Sequence, residues 1–191
     1  MSLPEKKTRA KNHNTEVESA PPRVKLIAAV LVRAEESLTA CRKALEERFG
    51  PTDGATEPFL FLFSNFYQEE MGPDLRKVLW SFDSLRDAGQ MVEIKRQAVQ
   101  IEESHRLKGK GGRRLNIDPG FLSADRFVLT SRKDAGHRIF LDSGVFGEVT
   151  LLFSRGRYRP LSWTYPDYRM EMVGGFLRQV RTRFLRQMRD S

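Results

Sequence analysis

Cysteine is all but absent from this chain. Cys41 stands alone among 191 residues, so neither an intrachain disulfide nor a cysteine-based zinc site can form. Long apolar runs are missing too. The longest, Leu26 to Val32, has seven residues, against the roughly 20 that a membrane-spanning helix needs. The N-terminal segment is polar and lacks the apolar core of a signal peptide. One cysteine, no membrane helix and no export signal together predict a cytoplasmic protein that does not touch the membrane. Histidine is scarce: His13, His105 and His137 are the only three. With His13 in the polar N-terminal segment, a three-histidine metal site is excluded, and no metal is expected. Gly109-Lys110-Gly111-Gly112 has neither the spacing nor the hydroxyl of a P-loop, and no HExxH or GxSxG occurs. The residues name no cofactor.

What is present suits a globular fold. The chain is 39% hydrophobic and 30% charged, too apolar for a disordered protein. A domain of this length buries roughly 70% of the surface its unfolded chain exposes. It folds without staples. The net charge is +8, unevenly spread. Arg106, Lys108, Lys110, Arg113 and Arg114 are clustered, and Arg178, Arg181, Arg183, Arg186 and Arg189 follow near the C-terminus. Such patches suit phosphates, nucleic acid or an acidic protein partner, or serve only as a solvated surface.

Residues 1–23 read as a flexible basic tail, closed by Pro21-Pro22 and too poor in apolar residues to offset the entropy of ordering. Residues 24–191 read as one α+β domain. Lys25 to Val32, Pro58 to Phe63 and Lys77 to Phe82 are expected strands. Glu35 to Phe49 and Asp87 to Leu107 have helical apolar spacing, the second through Met91, Ile94, Ala98 and Ile101. Arg114 to Leu122 is a short strand entering a turn at Pro119-Gly120, which fits a type II turn. A β-ribbon follows over Phe127–Ser131, His137–Leu141 and Val145–Phe153. Asp142-Ser143-Gly144 suits a three-residue loop that sets Leu141 opposite Val145, Phe140 opposite Phe146 and Arg138 opposite Glu148. Ser154 to Arg157 reads as a tight turn. A final helix spans Asp167 to Met188. The order predicts a mixed or antiparallel sheet whose β-α-β-β-α-β first half is ferredoxin-like.

Three segments hold candidate chemistry. Asn116 and Asp118 lie on one side of their strand and suit a ligand hydroxyl, a cation or a catalytic proton, unless they only bond the turn backbone. Lys133, His137 and Arg138, facing Glu148, suit a phosphate or carboxylate. Alternation sends His137 and Arg138 to opposite faces, so a site using both needs a strand end there. Trp163, Tyr165 and Asp167 precede the last helix as a stacking wall or as a plug that anchors it. Tyr67 and Glu70 sit in a polar, aromatic loop between apolar strands, a common place for function.

These residues also carry a resemblance. PFLFLFSNFYQEEMGPDLRKVLWSF, RRLNIDPGFL, KDAGHRIFL, GEVTLLF and WTYPDYR together resemble domain-of-unknown-function family 4416, a group of small bacterial proteins. The resemblance runs from Val24 to about Met188. It implies a cytoplasmic protein of uncharacterised activity and assigns no residue a role. No site residue is taken from the long second helix, where Ala98-Val99 stands in place of a polar pair. The expected function is binding of, or catalysis on, a phosphorylated or carboxylated small molecule, including a nucleotide. Asp118 and His137 are the expected acid/base groups, Lys133 and Arg138 the anion holders, and Trp163 and Tyr165 the stacking rings. The alternatives are a nucleic-acid-associated basic protein and an adaptor for an acidic partner.

Overall fold

The computed structural model describes residues 20–33, 36–63, 67–106 and 112–190. Residues 1–19 of the expected tail lie outside the described residues, and Arg23, its last residue, opens the first strand. In chain order the elements are β1 (Arg23–Val32), α1 (Glu36–Phe49), β2 (Thr52–Ala55), β3 (Phe59–Leu60), α2 (Gln68–Met71), β4 (Arg76–Asp87), α3 (Met91–Ser104), β5 (Leu115–Leu122), β6 (Arg126–Ser131), β7 (Ile139–Asp142), β8 (Val145–Ser154), β9 (Arg157–Pro160) and α4 (Glu171–Asp190). Short 3-10 turns precede α3 and α4, at Ala88–Gln90 and Pro166–Arg169. Among the described residues no helix is long and apolar enough to cross a membrane.

The strands make one nine-stranded sheet, all of its pairs antiparallel, in the order β2-β4-β1-β5-β6-β8-β7, with β3 also on β4 and β9 on β8. The chain is a single α+β domain. β1 is unbroken in its apolar run because both of its faces are covered. Leu26, Ala28, Val30 and Val32 pack with Cys41, Leu45 and Phe49 of α1 and with Met91, Ile94, Ala98 and Ile101 of α3. Ile27 and Ala29 pack with Val173, Phe176, Leu177, Val180 and Phe184 of α4. Leu31 joins a smaller cluster with Phe61, Met71 and Leu75. Each fully buried Val, Leu, Ile, Phe or Met among them contributes about 1.5–3 kcal/mol.

One seam in this sheet positions everything functional. β5 lies against β1 along its whole length. Its other edge pairs with β6 only at Gly120, Phe121 and Leu122, opposite Leu129, Val128 and Phe127. Beyond that point β6 leaves β5 and follows β8. Pro119 marks the divide, since it has no N–H to offer a neighbouring strand, and its carbonyl accepts from Thr130 Oγ1 at 2.6 Å. At Ile117, both open-edge groups go to side chains of α3. Glu102 Oε1 accepts from the Ile117 N–H at 2.6 Å, and Lys95 Nζ donates to the Ile117 carbonyl at 2.8 Å. Lateral pairing is replaced here by two side chains of α3.

Gly120 sits at the joint. A Cβ there would overlap the Val128 carbonyl oxygen and lie 2.9 Å from Leu129 Cδ2. Gly120→Ala is therefore expected to lower stability by about 1–3 kcal/mol, read as a lower urea midpoint.

Several expectations are corrected. Pro119-Gly120 is not a turn: β5 runs straight through it, because β1 holds both residues in register. β2 and β9 were not expected, being short and poor in branched apolar residues. The long helix begins at Met91 rather than Asp87, because β4 extends to Asp87. The last helix begins at Glu171, after the turn at Pro166. In the ribbon, Phe140 faces Phe146 as expected, but Asp142 rather than Leu141 faces Val145. Ser143 and Gly144 both have positive φ, 49° and 72°, which makes a two-residue hairpin turn. A bulge between Phe140 and Asp142 then restores the aromatic pair.

Candidate functional site

Where β6 peels away from β5, a cavity of about 500 Å³ opens. Its floor is laid across the central strands. Lys77, Leu31 and Asn116 form one cross-strand row on β4, β1 and β5, and Leu79, Ala29 and Asp118 form the next. β4 and β1 are central, so Lys77 is carried into the interior and is only 8% exposed. Lys77 donates to Asp167 Oδ2 and sits 4.1 Å from the centre of the Tyr168 ring. The 3-10 turn at Pro166 thus presses Asp167 and Tyr168 down onto the sheet. Asp167 is 1% exposed, and no group among the described residues donates to its Oδ1.

The α3 wall supplies Lys95, Val99 and Glu102. Lys95 donates to Asp118 Oδ1 at 3.0 Å, and Asn116 Nδ2 donates to Asp118 Oδ2 at 2.8 Å. Burial alone would raise the Asp118 carboxyl, but Lys95, Lys77 and Asn116 outweigh it and hold the group below its ordinary value. Glu102 is pushed up, because burial outweighs the help of Lys95 and the Ile117 N–H. Arg113 forks onto Glu70 at 2.8 and 2.6 Å and donates to Asn116 Oδ1 at 3.1 Å. Those bonds from Arg113 lower Glu70 in turn.

The ribbon forms the far bank. Arg138 donates to Glu148 Oε2 at 2.9 Å, to Ser131 Oγ at 3.0 Å and to the Lys133 carbonyl at 2.9 Å. Lys133 lies at the rim, 5.5 Å from the Tyr67 ring centre. Its ammonium is lowered, first by burial and then by the Arg113 and Arg138 charges. Tyr165 stands half exposed at the mouth. Burial, then the Asp118 charge, raises the Tyr67 phenol, so it stays a neutral hydroxyl at physiological pH.

The structure brings Tyr67, Asn116, Asp118, Lys133, Arg138, Glu148, Tyr165 and Asp167 to this one cavity. Glu70, His137 and Trp163 stand just behind it. Glu70 holds Arg113. His137 Nε2 lies 3.1 Å from Glu148 Oε2, and its ring stacks on Trp163 with centres 5.5 Å apart and planes at 14°. The Trp163 Nε1–H donates to the Val149 carbonyl at 2.9 Å. His137 and Arg138 meet on the same carboxylate because both precede β7, which starts at Ile139, so strand alternation does not apply to them. Thr164 Oγ1 donates to the Thr150 carbonyl, and Asp167 accepts from Lys77.

Lys77, Lys95, Glu102, Arg113 and Tyr168 were missed as site residues. The signal for two of them was present. Lys95 and Glu102 fall within the apolar stripe of Met91, Ile94, Ala98 and Ile101, where polar residues need buried partners. Lys77 has no comparable mark, since it opens an apolar strand as many solvent-facing lysines do. Among the described residues no group of three or more His, Cys, Asp or Glu side chains is placed to hold a metal ion.

A family model, Domain of unknown function (DUF4416), matches residues 22–184. The chain belongs to the DUF4416 family. The matched span contains every residue of the cavity. No curated protein and no solved structure matches the chain, so the roles of these DUF4416 residues rest on their chemistry.

Proposed function

We propose that this DUF4416 protein binds a small phosphorylated or carboxylated molecule, nucleotides included, in the split between β5 and β6. The observation that carries this is the convergence of the exposed Arg132 and Lys133 on the mouth of one ligand-sized cavity, with Arg113 beside them held by Glu70. Ligand pockets run about 300–1,000 Å³, and this one falls within that range. The lowered Lys133 ammonium supports the reading, because an anion would relieve the crowding of like charges that helps to lower it. Tyr165 offers a ring at the mouth for stacking. Proton transfer, if the bound molecule reacts, falls to Asp118, which faces the cavity, rather than to His137 behind Glu148.

The order β2-β4-β1-β5, with α1 and α3 on one face, supports a ferredoxin-like reading of the first half. Nucleic-acid binding along α4 has less support. Arg178 is bound to Glu171, Arg183 lies 3.7 Å from Asp53, and Arg181 donates to the Ala124 carbonyl. Arg106 and Arg113 both pair with Glu70, and residues 107–111 of the basic cluster lie outside the described residues.

The test is a thermal-shift screen of nucleotides and phosphorylated metabolites. A true ligand at a hundredfold excess over its Kd is expected to raise Tm by about 5–10 °C. Lys133→Ala should remove most of that rise. No shift across the panel overturns the proposal.

A further inference from the structure

The cavity is polarised from mouth to floor. Its rim carries cations: Arg132 and Lys133 are exposed and Arg113 half-buried. Its depth carries the carboxylates Asp118 and Asp167. Asp118 lies in the interior, yet 32% of its side chain is open, in the wall of the cavity. Its two oxygens accept from Lys95 and Asn116, and a carboxylate with one bond per oxygen has acceptor sites left over. The neighbouring cations keep it ionised, hence an acceptor only. Asp167 adds Oδ1, a buried acceptor that meets no donor among the described residues. The deep cations Lys77 and Lys95 are each held by one of these carboxylates, so the floor has no surplus positive charge to favour a second anion. A ligand reaching from rim to floor therefore meets donors first and acceptors last.

We infer that the ligand is bipolar: its phosphate or carboxylate stays at the Arg132–Lys133 rim, and its inner end carries hydroxyl or amine donors that bond Asp118. This rests on the anion-binding reading and narrows it to hydroxylated or aminated phosphates and carboxylates, excluding plain alkyl ones. Sites built around a polar partner reject analogues that lack it, since the buried group is then left unpaired.

Matched pairs test this by titration calorimetry on the full chain. Glycerol 3-phosphate is compared with propyl phosphate, and phosphoethanolamine with ethyl phosphate, which separates the hydroxyl form from the amine form. At least one donor-bearing member is expected to bind about tenfold or more tighter than its partner. Asp118→Asn should narrow that gap, and Lys133→Ala should weaken both members of a pair alike. The comparison within the unaltered protein stands even if Asp118→Asn folds poorly. Equal affinities within both pairs overturn the inference and leave the anion reading standing. No binding of any of the four compounds overturns the inference as well, and the anion reading then stands or falls on the thermal-shift panel.

Discussion

Replacing Lys95 by methionine is expected to lower the unfolding free energy by about 3 kcal/mol at neutral pH, near the low end of the range for removing one member of a buried ion pair. Two losses add up. The Ile117 carbonyl on the open edge of β5 loses its donor, and Asp118 loses its nearest cation. A third of the Asp118 side chain is open to the cavity, and that screening keeps the figure from being larger. The effect has a pH signature. Burial raises Asp118, but Lys95 and its companions hold it below the ordinary carboxyl value. A carboxyl lowered on folding stabilises the fold above its unfolded value, near 3.9, and that stabilisation is lost as pH falls through the lowered folded value. In the variant, burial acts with less opposition and Asp118 is protonated at higher pH. The gap between the two proteins should therefore be full at about pH 7 and narrow toward about pH 4. Urea unfolding at both pH values checks it, and a gap independent of pH would assign the loss to packing and the Ile117 carbonyl alone.

Asp167→Ala is expected to cost about 3–5 kcal/mol. It leaves Lys77 under Tyr168 with no carboxylate, in a position only 8% exposed. Asp167→Asn, whose amide oxygen still accepts, should cost less. The pair as a whole is not expected to hold the fold together, because replacing both members of a buried ion pair with apolar residues is often neutral or stabilising. Lys77→Met with Asp167→Leu should thus recover most of the stability lost in Asp167→Ala. If it does, and ligand-induced Tm shifts disappear in the same protein, the pair is kept for the cavity. If the double variant is as unstable as Asp167→Ala, the pair is a structural anchor for the start of α4.

Much of this was legible in the sequence, and the reasons are local. Helices α1 and α4 follow directly from apolar spacing, and the ribbon follows from alternation around Ser143-Gly144. Asn116, Asp118 and Glu148 stand out as polar residues within apolar strands, and Lys133, Arg138, Tyr165 and Asp167 as charged or aromatic residues in the loops beside them; that they line one cavity comes from the fold. What was not legible is the seam. Pro119-Gly120 carries a strong turn signal, and only the pairing with β1 overrides it. A proline inside a strand instead removes a partner on the far edge. That one step turns a supposed loop into an opening in the sheet and brings α3 into the site. His137 illustrates the other limit. Its residue type suggested acid/base work, but the stack on Trp163 and the shared hold on Glu148 depend on a loop that no periodicity describes.

The open edge of β5 has a mechanical consequence. Three residue pairs join it to β6, so the β6–β8–β7 ribbon hangs from the rest of the sheet like a door from a short hinge. The packing of Phe127, Leu151 and Tyr158 with α4 does the latching. A ligand filling the gap would stiffen the molecule across this line without moving a single strand.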